Sequence, residues 1–150
     1  MQRFTITAVL AVVVSGCFAS SYRAPDQFVE LESTRAGAKF VASDDARLWI
    51  RRFTPEADGT LAFWREHVRL HFTTERGYTL ISERDVKIDG APGVEFTFEA
   101  TVDGVLQRYA LFLTTESRLV RDRVVTAEFV GTPETFAAHE AAVRTALRVE

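Results

Sequence analysis

The sequence predicts an α+β fold, an antiparallel β-sheet covered by two α-helices, and three observations carry that prediction. Val94, Phe96, Phe98, Ala100 and Val102 alternate with Glu95, Thr97, Glu99 and Thr101, which describes a strand with one apolar and one polar face. Asp103-Gly104 follows, the dipeptide of a two-residue type I′ turn, so a second strand returns antiparallel from Val105. Two further stretches, around Leu61–Phe72 and Phe136–Leu147, repeat apolar residues at helical spacing behind capping residues. The length of 150 residues, with 47% hydrophobic and 26% charged, suits one folded domain with its own core. A net charge of −3 gives no basic excess for binding nucleic acid, and one cysteine excludes an internal disulfide or a multi-cysteine metal cluster.

Met1-Gln2-Arg3 opens the chain with a positive charge, and Phe4 to Val14 follows without any charge. Eleven such residues fit the apolar region of a secretory signal, whereas about 20 are needed to span a bilayer. Val14-Ser15-Gly16-Cys17 resembles the bacterial lipobox: an aliphatic residue, two small residues, then the cysteine. The resemblance implies cleavage between Gly16 and Cys17, with acylation of the Cys17 thiol and of its new amino group. Phe18, rather than Asp, follows that cysteine, and by analogy with enterobacterial sorting this implies retention in the outer membrane, facing the periplasm. Residues 1–16 are therefore expected to be a lipoprotein signal peptide, 17–27 a lipidated tether, and 28–150 a single α+β domain. The alternatives are an ordinary secretory signal with a chance cysteine, or a buried apolar helix.

In the domain, Phe28–Glu32, Lys39–Ser43 and Arg47–Thr54 read as three strands, divided by the turn at Gly37 and by Asp44-Asp45. Asp58-Gly59-Thr60 offers helix caps and Gly77 a C-terminal glycine, with Leu61, Trp64, Val68 and Phe72 forming one continuous stripe between them. Phe63 and Leu70 make a smaller apolar line on the back of this helix. Tyr78–Ile88 reads as a strand ended by Asp89-Gly90-Ala91-Pro92-Gly93. In the hairpin, the turn sets Val102 opposite Val105, Phe98 opposite Tyr109, Phe96 opposite Leu111 and, on the wet face, Glu99 opposite Arg108. Glu116–Arg123 is a charged loop and Val124–Val130 a last strand. Thr132 caps the final helix, Pro133 occupies its first turn, and Phe136, Val143 and Leu147 form its buried stripe.

This order resembles the PsbP-like fold, an α/β/α sandwich shared by a photosystem accessory protein, a Ran-binding import factor and several small bacterial lipoproteins. The resemblance covers about Ala57 to Val149 and rests on two short motifs: Asp-Gly-x-Pro-Gly at Asp89–Gly93, and Val-Thr-x-x-Phe at Val125–Phe129. It implies a fold and an assembly or binding role, with no catalytic set to carry over.

Residue chemistry points the same way. His67 and His71, one helical turn apart, are weak candidates for two zinc ligands, but Glu66 precedes the first histidine and the zincin order is absent. Ordinary helix-surface residues are the simpler reading of that pair, and an edge-of-core histidine that of His139. Arg118, Arg121 and Arg123 surround Leu119-Val120, which suits an acidic partner or lipid headgroups, or else a solvated loop balanced by Glu116 and Asp122. Phe63 and Leu70 could dock a partner, or stand as an ordinary exposed pair. The expected function is a non-catalytic binding or assembly accessory, anchored in the membrane by lipid, with a protein partner of unknown identity and no cofactor. The alternative is a small carrier holding a lipid or other apolar ligand between sheet and helix, lined by Trp49, Trp64, Phe96, Phe98 and Tyr109. A hydrolase built on His67 or His139 is the third reading, for which no nucleophile is identifiable.

Overall fold

The computed structural model describes residues 22–56, 59–119 and 121–150, so the lipobox reading at Gly16 and Cys17 lies outside the described residues. Seven strands form one sheet: β1 (Phe28–Thr34), β2 (Gly37–Ala42), β3 (Arg47–Phe53), β4 (Thr79–Ile88), β5 (Ala91–Val102), β6 (Val105–Glu116) and β7 (Arg123–Gly131). Their order is β1-β2-β3-β7-β6-β5-β4, and every neighbouring pair is antiparallel. Both edge strands carry a register shift, at Glu30/Glu32 in β1 and at Leu80/Ser82 in β4. Two helices, α1 (Leu61–Leu70) and α2 (Pro133–Leu147), cover the sheet.

The central hairpin has the register that its turn dictates. Val102 faces Val105, Phe98 faces Tyr109 and Phe96 faces Leu111, while Arg108 Nε donates to Glu99 Oε1 at 3.1 Å. Asp103 and Gly104 both have positive φ, as a type I′ turn requires. Asp89 and Gly90 make a second such turn, so β5 starts already at Ala91 and takes Pro92 and Gly93 into the strand. Only glycine fits at 93, because a Cβ there would lie 2.8 Å from the Leu113 carbonyl oxygen.

One expectation needs correction: the second face of β5 is wet only toward Thr101, and it is buried at Glu95. The helices lie on opposite faces of the sheet, so the central strands are buried on both sides. Val68 of α1 and Phe72 just beyond it pack with Val94, Phe96, Phe98, Leu111, Leu113 and Val124. On the other face, Phe136, Val143 and Leu147 of α2 pack on Phe40, Ile50, Phe112, Ala127 and Phe129. Glu95 points to this second side and is 2% exposed. It is tolerated there because Arg84 on β4 holds both carboxylate oxygens, at 3.1 and 2.9 Å, and Arg144 on α2 adds a further charged hydrogen bond.

The first helix is also shorter than its stripe suggests. Thr60 caps it, its Oγ1 accepting from the Phe63 N–H at 3.2 Å, but regular α-helix stops at Leu70. A π-turn, His71–Glu75, carries the chain on to Gly77, which takes the expected positive φ. The Thr73 hydroxyl donates back to the Arg69 carbonyl at 2.8 Å, a bond of the kind that bends helices. Among the described residues no helix is long and apolar enough to cross a membrane.

Candidate functional site

The second helix leaves a space beneath its C-terminal half. Phe136 stacks on Phe129 at 4.7 Å near the start of α2, and Leu147 is buried at its end. Between these anchors the flank facing the sheet carries Ala142, Thr145 and Ala146, and Ala91 and Ala127 are equally short on the floor. Small side chains on both sides prevent closure, and a groove of about 910 Å³ results. That volume lies in the range of small-molecule sites, about 300–1,000 Å³. Ile50, Phe112 and Val125 give it an apolar floor.

Of the expected tether only residues 22–27 are described, and they lie against the sheet as the wall opposite α2. Tyr22 and Ala24 pack on the core and Pro25 is buried. The Arg52 guanidinium lies 4.5 Å from the Tyr22 ring centroid, a cation–π contact. Burial is the main influence on the Tyr22 hydroxyl and pushes its pKa up, against the opposing pull of Arg52.

Charge gathers where the groove opens. Arg52 Nε is 3.5 Å from Glu116 Oε1, within ion-pair range, yet this buried donor makes no hydrogen bond. Arg148 caps α2 in the left-handed conformation and reaches Asp89 Oδ1 at 2.7 Å. The arrangement is a trough with an apolar floor and charged side chains at one end, suited to a ligand with one polar end.

The carrier lining read from the sequence is corrected by this geometry. Phe96 and Phe98 belong to the core on the α1 side, Trp64 and Tyr109 pack against it, and Trp49 is exposed. None of the five lines the groove. The residues that do, among them Tyr22, Arg52, Glu116 and the alanines of α2, carried no motif. The Ala137-Ala138 and Ala141-Ala142 pairs were the one available signal of a helix too slender to fill its side.

Other candidates are dispersed. The His67 and His71 rings stack 6.3 Å apart, His71 Nδ1 lies 2.7 Å from Glu75, and among the described residues no three His, Cys, Asp or Glu side chains gather as a metal site. His139 is buried on the inner side of α2, with Nε2 2.9 Å from Asp44 Oδ2 and its ring edge-on to Phe28. That hydrogen bond is the main reason the Asp44 carboxyl is held below its ordinary value. Phe63 is exposed against Trp64 and His67, and Leu70 is exposed further along α1. On the same side, β1–β3 lie beyond α1, leaving Val29, Trp49 and Phe53 open, with the Arg51 guanidinium 4.4 Å from the Trp49 ring centroid. Arg118 and Leu119 project from the β6–β7 loop, where the Arg118 amide donates to Asp122 Oδ1 at 3.3 Å. Arg121 follows in the same loop, and Arg123 begins β7.

No protein-family model matches the chain, and no curated protein matches it. Among solved structures, LpqN of Mycobacterium tuberculosis, involved in cell envelope biogenesis, aligns with a TM-score of 0.67 at 11% identity, covering 85% of this chain and 79% of that one. A protein of unknown function from Pseudomonas aeruginosa, PA94, aligns with a TM-score of 0.56 at 18% identity, covering 85% and 83%. What the chain has in common with both is a fold, an antiparallel sheet carrying helices.

Proposed function

We propose that this chain is a lipid-anchored protein of the bacterial envelope, displayed in the periplasm from the outer membrane, which binds an amphiphile without catalysing a reaction on it. The groove under α2 carries this reading: it is of ligand size, apolar along its floor, and charged at one end through Arg52, Glu116, Asp89 and Arg148. The lipobox residues supply the anchor through Cys17, and Phe18 directs it to the outer membrane. Likeness in fold to LpqN, itself involved in cell envelope biogenesis, supports the envelope setting. The finer kinship with PsbP-like proteins rests on the Asp89–Gly93 and Val125–Phe129 motifs, and it too favours binding over catalysis.

Native mass spectrometry of the membrane-extracted protein tests the ligand. A copurifying lipid-sized mass is expected, and Ala146→Leu, which fills the groove, should remove it. The volume added there should change stability by no more than about 1–3 kcal/mol. A bare protein mass in the wild type, released under gentle detergent, would sink the carrier reading. Anchoring is tested separately: Cys17→Ser should leave the membrane fraction, and its full retention there would refute acylation at Cys17.

A second reading, docking of a protein partner, is favoured by the uncovered side of β1–β3, where Val29, Trp49 and Phe53 stand open. Trp49→Glu should then abolish a defined pull-down partner while leaving the copurifying lipid in place.

A further inference from the structure

The strand ends place three features at one end of the sheet. Phe53 pairs with Val124, Glu116 with Arg123, and Ile88 with Ala91, so the ends of β3, β6 and β4 meet the starts of β7 and β5 there. The mouth of the groove, marked by Arg52, Glu116, Asp89 and Arg148, opens at this end. The β6–β7 loop projects from it, with Leu119 fully exposed between Arg118 and Arg121. Tyr22 lies at the same end, against Arg52. The opposite end carries the Asp103-Gly104 turn.

Four residues lie between Cys17 and Tyr22, and those five steps of chain reach at most ~17 Å. An acyl group on Cys17 therefore fixes which end of the domain the bilayer meets. We propose that the domain stands with its groove mouth toward the phospholipid surface, and that the Arg118–Arg121 loop rests in the headgroup layer with Leu119 inserted. This rests on the reading of Cys17 as acylated. The loop has the chemistry for it: an exposed leucine flanked by guanidinium groups is the pattern of an interfacial contact. Arg118 leans on Glu116 at 3.2 Å, but the exposed Arg121 makes no ion pair among the described residues, and so remains available to anionic headgroups. In this orientation an amphiphile could pass between the bilayer and the groove without its apolar part crossing open water.

The test uses the full acylated protein in vesicles of phosphatidylethanolamine and phosphatidylglycerol. The Cys17 thiol is blocked by its lipid, so Ser117→Cys or Asp103→Cys each provides one site for an environment-sensitive dye. The dye at 117 should shift to the blue and be quenched by spin-labelled lipid, while the dye at 103 behaves as in water. Adding Leu119→Glu to the Ser117→Cys protein should abolish that shift while the protein stays bound. A vesicle-bound protein whose two dyes respond alike, or whose dye at 103 is the more quenched, overturns the orientation alone. A purified protein whose mass shows no acyl chains overturns the anchor, and the orientation with it.

Discussion

The two faces of the sheet solve the same packing problem differently. On the α1 side, bulky rings close the space: Phe72 stacks on Phe98 at 4.9 Å, Phe98 on Phe96 at 5.7 Å, and Tyr78 meets Tyr109 at 4.9 Å. On the α2 side, alanines face alanines over half the helix and a groove remains. One side is filled as a protein interior ordinarily is, and the other keeps room. The space under α2 comes from side chains that are too small, although Phe129, Phe136, Val143 and Leu147 on that face are as buried as the rings across the sheet.

That contrast can be broken most directly at Phe98. Phe98→Ala should cost about 3–5 kcal/mol in chemical denaturation, since the buried ring leaves a cavity among aromatic neighbours that cannot collapse. Lipid copurification should survive in whatever protein remains folded, because the groove lies across the sheet. Next in size is Glu95→Ala, which leaves Arg84 and Arg144 without their shared carboxylate. Because Arg84 is half exposed and can turn to water, the loss should be about 3 kcal/mol, near the lower limit for a broken buried pair. Hydrogen exchange should show that loss concentrated in α2, and with it a weakened hold on the lipid.

The smallest effect is one of pH. Burial first, and then the hydrogen bond with Tyr78, push the Tyr109 hydroxyl up to about 12 from an ordinary 10.0. The folded state therefore favours the neutral phenol. This contribution is whole below pH 10 and is lost as pH rises from there through about 12. An ultraviolet titration should show a late-ionising tyrosine, and Tyr78→Phe should bring its midpoint down.

How far the sequence reveals these two faces depends on the range of the signal. The central hairpin was legible to the residue, because turn type and period-two alternation are local and fix register together. Glu95 was misread for the same reason: alternation shows which residues share a face, but not whether a distant helix covers the other one. The groove was not legible, since it arises from alanines on α2 meeting alanines on β5 and β7 that are remote in the chain. In the sequence Arg52 is one charge among several on a strand, and only its position beside Tyr22 gives it a role. The proposed anchor is the opposite case. Its motif is wholly local, so it could be read from four residues without any knowledge of the fold.

The irregular edges have a consequence for crowding. Protein held in a membrane is concentrated in two dimensions, and copies drift past one another edge first. A flat sheet with free outer strands would then tend to lengthen by adding its neighbour's. Here each outer strand breaks its ladder with a register shift and carries charged side chains: Glu30 and Glu32 on β1, and Glu83, Arg84, Asp85 and Lys87 on β4. A long run of matched hydrogen bonds between two molecules cannot form across such borders. Under the proposed anchoring, the same irregularities that interrupt the pairing within one molecule would oppose edge-to-edge growth between molecules.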